Sequence, residues 1–186
     1  MLLTSNTALE AIKLNQQVWT PHRYYREGII TAISAGVFFI LIGMIFVTRP
    51  GLYGSLQNFF STGAWTNRTI GNTTITVPVP ASPGDHIEVY NAVLEFCLAW
   101  GFFQILILAF RFIVPSPRRR TAATISSVVF WFGAAYLINT YLNATTTITD
   151  ITQRQNNWFI FWAAILVLLG VVLIVRAIAL AVMRKR

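Results

Sequence analysis

The chain has 186 residues, of which 55% are hydrophobic and only 11% are charged, and its formal net charge is +8. Soluble chains carry roughly 25% charged residues, so the composition excludes an ordinary water-soluble domain and a disordered protein. The single cysteine, Cys97, excludes a disulfide scaffold, a thiolate zinc site and a cysteine-ligated cluster. The composition is typical of an integral membrane protein.

An amphipathic arm, residues 1–27, precedes the first apolar run of the chain. Leu9, Ile12 and Trp19 recur at roughly helical intervals, and Pro21 ends the pattern. An amphipathic helix of this kind is typical of a segment that lies on a membrane surface. We therefore expect a short helix on the inner membrane surface, with docking of a cytosolic partner as the alternative.

Four stretches of the sequence are long and apolar enough to cross a membrane, which takes about 20 residues in a helix. They span approximately residues 28–47, 89–114, 122–142 and 158–183. Buried helices of a soluble bundle would have polar faces toward water, and the first and fourth stretches have none. The sequence predicts an all-α membrane protein, a four-helix transmembrane bundle with a partly ordered outer loop at residues 48–88.

The distribution of positive charge predicts how the chain threads the membrane. Eleven of the fourteen Lys and Arg residues lie in the N-terminal arm, in the connection between the second and third spans, or near the C-terminus. Because positive residues are retained on the cytoplasmic side, we expect a multi-pass plasma membrane protein with both termini in the cytoplasm. Several basic residues, including the tail 184–186, are expected to bind anionic lipid headgroups and no nucleic acid. They are Arg111, Arg118, Arg119, Arg120, Arg184, Lys185 and Arg186.

The outer loop carries three local patterns. Apolar residues within 53–60 are spaced as in a short interfacial helix. Residues 69–77 are typical of a two-stranded ribbon with a central Gly-Asn turn, and prolines follow it. Asp85 and Glu88 have the spacing of a capping box, which predicts that Asp85 caps the second spanning helix.

Three Asn-x-Thr triplets lie in the segments that the charge pattern places outside. Their acceptor residues are Asn67, Asn72 and Asn143. Glycosylation would require these positions to be outside, so their joint placement agrees with the predicted orientation.

Glu95 is the residue within a span that most strongly indicates a function, because a charge inside a membrane is costly. It lies roughly 6 Å inside the boundary marked by Asn91, and Asn139 in the third span is expected at a similar depth. We predict that these three side chains form one polar cluster. The cluster would serve either interhelical hydrogen bonding and partner contact, or cation binding and proton relay through Glu95. Gln104, near mid-membrane, is expected to bond a neighbouring helix.

Small residues recur at seven-residue spacing in two of the spans. They are Gly36 and Gly43 in the first span and Ala163, Gly170 and Ala177 in the fourth. Small residues at such intervals let helices approach closely. We therefore expect antiparallel packing of the first and fourth spans, with a homo-oligomeric contact as the competing use of either stripe.

The sequence lacks the patterns of common enzyme and cofactor sites. It has no P-loop, dinucleotide-binding glycine pattern, HExxH pair or GxSxG elbow. The two histidines, His22 and His86, are predicted on opposite sides of the membrane, so no shared metal or haem is expected. We predict no catalytic residue, no metal and no cofactor.

These observations predict a non-enzymatic membrane protein that acts by association, as an accessory subunit of another membrane protein or as a homo-oligomeric scaffold. Two alternatives remain open at the level of sequence. One is a small transporter or channel component in which Glu95 titrates. The other is a membrane sensor whose outer loop binds a ligand.

Two stretches carry a resemblance to known sequences: DHIEVYNAVLEFCLAWGFFQ at residues 85–104 and VFWFGAAYLIN at residues 129–139. They resemble stretches of small uncharacterised archaeal four-span membrane proteins. The resemblance implies a location in an archaeal plasma membrane. It implies no activity, and no functional residue is transferred by it.

Overall fold

The computed structural model of the chain contains four helices that are long and apolar enough to cross a membrane. It describes residues 21–61, 66–70, 72–77, 79–80, 82–113 and 117–184. The four candidate spans are Gly28–Thr48, Pro83–Ile113, Arg118–Thr145 and Ile151–Met183. The prediction of a multi-pass membrane protein with four spanning helices is confirmed at the level of helix length and composition.

Five α-helices occur in the described part of the chain. They are α1 (Pro21–Thr48), α2 (Leu52–Ser61), α3 (Ile87–Ile113), α4 (Arg118–Leu137) and α5 (Ile151–Arg184). Four of them coincide with the predicted spans, and α2 confirms the short helix expected in the outer loop.

The N-terminal arm is described only from Pro21 onward, so the predicted helix of residues 1–20 lies outside the described residues. Pro21 is the first residue of α1. Proline suits that position because the first N–H groups of a helix have no partner within the helix.

The chain divides into two compact units, residues 1–39 and 40–186. The described part of the first unit consists of α1 up to Phe39, in which the Ser34 hydroxyl donates to the Ile30 carbonyl at 2.7 Å. The rest of α1 and all other elements belong to the second unit, in which α4 packs against both α3 and α5.

The core of the second unit lies where α3, α4 and α5 meet. Its buried members include Tyr90, Cys97, Ala134, Ile138 and Trp158. Small residues of α4 permit the close approach of the neighbouring helices, because a small side chain leaves room for the partner's larger one.

A two-stranded antiparallel ribbon follows α2, as the sequence predicts. Strand β1 (Thr66–Ile70) pairs with β2 (Thr73–Val77), with Thr66 opposite Val77 and Ile70 opposite Thr73. The first strand therefore begins three residues earlier than expected from the sequence. We use "ribbon side" for the end of the spans that carries α2 and this ribbon, and "basic side" for the opposite end.

The predicted capping box at the start of the second span is wrong. A 3-10 helix, Pro83–His86, precedes α3, and the Asp85 N–H donates to the Ser82 carbonyl at 3.1 Å. The backbone donor that a capping-box glutamate would bind is therefore already occupied. The Glu88 carboxylate accepts a hydrogen bond from the Ser55 hydroxyl of α2 instead.

The polar segment between the third and fourth spans is more ordered than the sequence suggests. A π-helix, Ile138–Leu142, and a 3-10 helix, Asn143–Thr147, continue from α4, and α5 begins at Ile151 rather than at residue 158. Asp150 starts α5 early because its carboxylate accepts the Thr152 N–H at 2.9 Å.

Candidate functional site

An ion pair joins the ribbon-side end of α1 to the second span. The Arg49 guanidinium donates to both Glu95 carboxylate oxygens, from Nε at 3.0 Å and from Nη2 at 2.5 Å. The two side chains are 29% and 47% exposed, respectively. A two-point contact of this kind fixes geometry as well as charge, because both planar groups must align.

A second contact joins α2 to α3 and lies closer to the ribbon side than the ion pair does. The Ser55 hydroxyl of α2 donates to Glu88 Oε2 at 2.5 Å. Glu88 and Glu95 are seven residues apart, so they lie on the same side of α3 about 10 Å apart along its axis. We call Arg49, Ser55, Glu88 and Glu95 the ribbon-side polar cluster.

The cluster contains two carboxylates and one guanidinium, and these three groups determine its electrostatics. The hydrogen bonds that Arg49 donates to Glu95, together with the negative charges of Glu95 and Glu88, raise the pKa of Arg49 above its ordinary value. Arg49 therefore stays charged at all physiological pH values, and the cluster retains one net negative charge. The hydrogen bonds of the cluster hold the segment between α1 and α2, and α2 itself, against α3.

The predicted cluster of Asn91, Glu95 and Asn139 differs in the structure, because Asn91 and Glu95 have other hydrogen-bond partners. The Asn143 amide nitrogen donates to Asn91 Oδ1 at 2.8 Å, while Asn139 is exposed. The reason is the π-helix at the end of α4, whose i to i+5 bonding changes which residues face α3. Extrapolation of an α-helix from the sequence could not foresee this change.

Sequence reasoning missed two members of the site, Ser55 and Arg49. The sequence counts Arg49 only as one of three basic residues on the predicted outer side. A signal was available, because a carboxylate within a span needs a partner of opposite charge and Arg49 lies directly after the first span.

The predicted glycosylation acceptors differ in accessibility. Asn67 and Asn72 are exposed at the ribbon, and Asn67 Oδ1 accepts the Thr76 hydroxyl at 2.9 Å. Asn143 is partly buried, and its amide nitrogen, the atom that a glycan would modify, is the donor to Asn91. The fold therefore leaves two of the three acceptors accessible.

The other polar residues that the sequence singles out lie on α3 and α4 or in the C-terminal tail. Gln104 and Arg111 are half-buried on α3, and the side chains of residues 118–120 are exposed at the start of α4. The tail residues Lys185 and Arg186, together with the side chain of Arg184, lie outside the described residues.

Two of the small residues that the sequence singles out, Gly43 and Gly170, do not lie at close helix contacts in the second unit. Nothing lies within 4 Å of a Cβ built at Gly43 or at Gly170. Close approaches occur at three other glycines. A Cβ at Gly84 would lie 2.8 Å from Arg154 Nη1, one at Gly101 would lie 3.1 Å from the Phe132 ring, and one at Gly133 would lie 2.5 Å from Leu168 Cδ1.

An aromatic cluster lies at the ribbon-side end of the core. Trp158 contacts the rings of Phe59, Tyr90 and Phe161 with centroids 6.2 to 6.4 Å apart. His86 is buried and meets Phe59 edge-on at 5.1 Å. This packing holds α2 and the 3-10 helix on the spans and gives His86 a structural role.

An apolar groove of about 170 Å³ lies between α1, α2 and α3, close to the ribbon-side polar cluster. Among the described residues, no group of three or more His, Cys, Asp or Glu side chains could hold a metal ion. The chemistry that this site offers is ion pairing and apolar contact.

Removal of the Arg49 side chain is expected to destabilise the protein more than removal of its partner. Arg49→Ala leaves a carboxylate unpaired within the span, whereas Glu95→Ala leaves a guanidinium at the boundary that can reach water. We expect losses of about 1 kcal/mol in the free energy of unfolding for a partly exposed pair. Thermal unfolding in detergent of both single variants and the double variant measures the coupling.

The control for that prediction is Arg49→Ala combined with Glu95→Gln, which removes the unpaired charge. This combination should recover part of the stability lost in Arg49→Ala alone. If the losses of stability in the single variants simply add up in the double variants, and no stability is recovered, the two side chains are not coupled and the prediction is contradicted.

Comparison of the chain with family models, with curated protein sequences and with solved structures finds no match in any of the three.

Proposed function

We propose that the chain is a non-enzymatic integral membrane protein that acts by association, as an accessory subunit of another membrane protein or as a homo-oligomeric scaffold. The observation that carries this proposal is the exposure of α5. From Ala163 to Met183 no residue of this helix is buried. A large part of the fourth span is therefore free to contact lipid or another protein.

The two sides of α5 differ in a way that supports association. Ile165 and Leu168 pack against the core formed with α3 and α4. At about 100° per residue, Ala163, Gly170 and Ala177 lie on roughly the opposite side of the helix. All three are exposed, so the small-residue stripe is directed away from the core of its own chain. This supports the intermolecular use of the stripe.

The ion pair between Glu95 and Arg49 weighs against the transporter alternative. A titrating carboxylate in a conduction path must exchange its proton or cation with the path. Glu95 instead accepts two hydrogen bonds from Arg49. This arrangement favours a structural role for Glu95 at the boundary of the membrane.

The proposed setting is a plasma membrane with both termini in the cytoplasm and the ribbon side outside. The proposal is supported by the excess of Lys and Arg on the basic side. The exposed arginines at the start of α4, Arg118, Arg119 and Arg120, would then contact anionic headgroups of the inner leaflet.

The experiment that tests association uses bulky replacements on the α5 stripe. Gly170→Leu and Ala177→Leu should abolish the complex gently extracted from membranes, because a leucine prevents close approach of a second helix. The measurement is the mass and composition of the extracted complex, compared with the mass of one chain in its detergent micelle.

The matched control is Ala109→Leu, which makes the same replacement at an exposed alanine of α3. It should leave the complex intact. A wild-type protein that is monomeric after gentle extraction, or stripe variants that keep the full complex, would contradict the proposal.

A further inference from the structure

The apolar groove and the ribbon-side polar cluster both lie where the end of α1 meets α2 and α3. The groove is lined by Ile45 and Phe46 of α1, Leu52 and Leu56 of α2, and Ala92 and Val93 of α3. No polar side chain contributes to this lining.

The polar cluster lies directly beside this groove. Arg49 lies in the chain between α1 and α2, and its N–H donates to the carbonyl of the lining residue Ile45 at 3.1 Å. Glu95 is the sequence neighbour of Phe96, another lining residue. An apolar groove with a charged group at its rim is complementary to an amphipathic lipid. The groove would hold an acyl chain, and the charged group would contact the headgroup.

The groove is open to the bilayer rather than enclosed by the chain. Val93 is 46% exposed and Phe46 is 43% exposed. Both lie within helices of spanning length, so an apolar lipid chain is the most abundant molecule that can reach them. Filling the groove with such a chain also restores the contacts that an empty apolar groove lacks.

The charge of the cluster selects the headgroup. Glu88 and Glu95 carry two negative charges and Arg49 carries one positive charge, so the rim attracts cations and repels anions. Glu88 is exposed, and its carboxylate can accept a further hydrogen bond beyond that from Ser55.

We infer that the groove binds one chain of an amine-bearing phospholipid, whose ammonium group contacts the Glu88 carboxylate at the rim. This lipid site is independent of the proposed association through α5, because none of its residues belongs to that helix. It also differs in chemistry from the basic side, where arginines attract anionic headgroups.

The first test compares two phospholipids with identical chains, phosphatidylethanolamine and phosphatidylglycerol, added to the purified full chain in detergent. We expect the ethanolamine lipid to raise the melting temperature by roughly 4 °C more than the glycerol lipid. Equal shifts with the two lipids would overturn the headgroup assignment. No shift with either lipid would overturn the site.

Two variants separate the headgroup contact from the groove. Glu88→Gln removes the net negative charge but keeps an oxygen that can accept from Ser55, so it should abolish the preference for the ethanolamine lipid. Val93→Trp fills the groove and should abolish the shift with both lipids. Val171→Trp is the control, because Val171 of α5 is similarly exposed, at 44%, and lies away from the groove.

Native mass spectrometry provides a second measurement if Val93→Trp does not fold. The wild-type chain should retain one ethanolamine lipid, and Glu88→Gln should retain it at least tenfold less often. A chain that retains no lipid would overturn the inference. A folded Val93→Trp chain that is monomeric where the wild-type chain forms a complex would also overturn it, because a second protein helix would then be the occupant.

Discussion

Replacement of Trp158 by alanine is expected to cost about 3–5 kcal/mol in the free energy of unfolding, as for other buried aromatic residues. Trp158 is only 9% exposed and contacts Phe59, Tyr90 and Phe161. The replacement therefore opens a cavity where α2, α3 and α5 meet. For a chain of this size the melting temperature should fall by roughly 10 °C.

The chain provides its own reporter for this measurement. Cys97 is its single cysteine, and it is buried. Its reaction with a thiol-reactive dye during heating therefore follows the opening of the core. The rate of this reaction in the folded state should be low in the wild-type chain and higher in Trp158→Ala.

Trp162→Ala is the matched control for Trp158→Ala. Trp162 lies one turn away on α5 and is 51% exposed. Its removal takes away exposed apolar surface and the edge contact with Trp158 but opens no comparable cavity. A loss of stability in Trp162→Ala as large as that in Trp158→Ala would contradict the assignment of Trp158 to the core.

Gly133→Val is expected to destabilise the protein by about 1–3 kcal/mol through overpacking. The Cβ atom of any replacement would lie 2.5 Å from Leu168 Cδ1, so α4 and α5 would have to separate or Leu168 would have to move. Thermal unfolding followed through Cys97 measures the effect.

Gly170→Val is the control, because a Cβ at Gly170 meets nothing within 4 Å. In a single chain in detergent, this replacement should change stability by less than about 1 kcal/mol, the range of intrinsic helix propensity. Equal destabilisation by the two replacements would indicate that the contact at Gly133 is not the tightest helix approach.

The comparison of the two glycines separates folding from association. Gly133 lies at a contact within the chain, whereas Gly170 lies on the exposed stripe of α5. A variant at Gly133 should therefore lower the melting temperature, and a variant at Gly170 should change the mass of the complex. The two measurements together test whether the stripe is used between chains.

The sequence by itself determined the class of the protein and the order of its elements. Apolar runs of spanning length are recognisable without tertiary contacts, because about 20 apolar residues have few stable positions other than a membrane. The helix at residues 53–60 and the ribbon at residues 69–77 were also predictable, since each depends on local spacing and turn chemistry.

The tertiary structure decided which side chains meet. Glu95 was recognisable as a charge that needs a partner, but only the fold brings Arg49 to it, from 46 residues away in the sequence. Asn143, and not the predicted Asn139, donates a hydrogen bond to Asn91. This difference depends on a π-helix, for which the sequence carries no simple signal.

Helix packing was likewise decided by the tertiary structure. Small residues at seven-residue spacing mark a helix side that permits close approach, but the spacing does not specify the neighbour. The chain uses Gly101 and Gly133 for its own close contacts and leaves Gly170 open. The physical reason is that periodicity defines the side of a helix, whereas the direction of that side depends on how all the neighbouring helices pack.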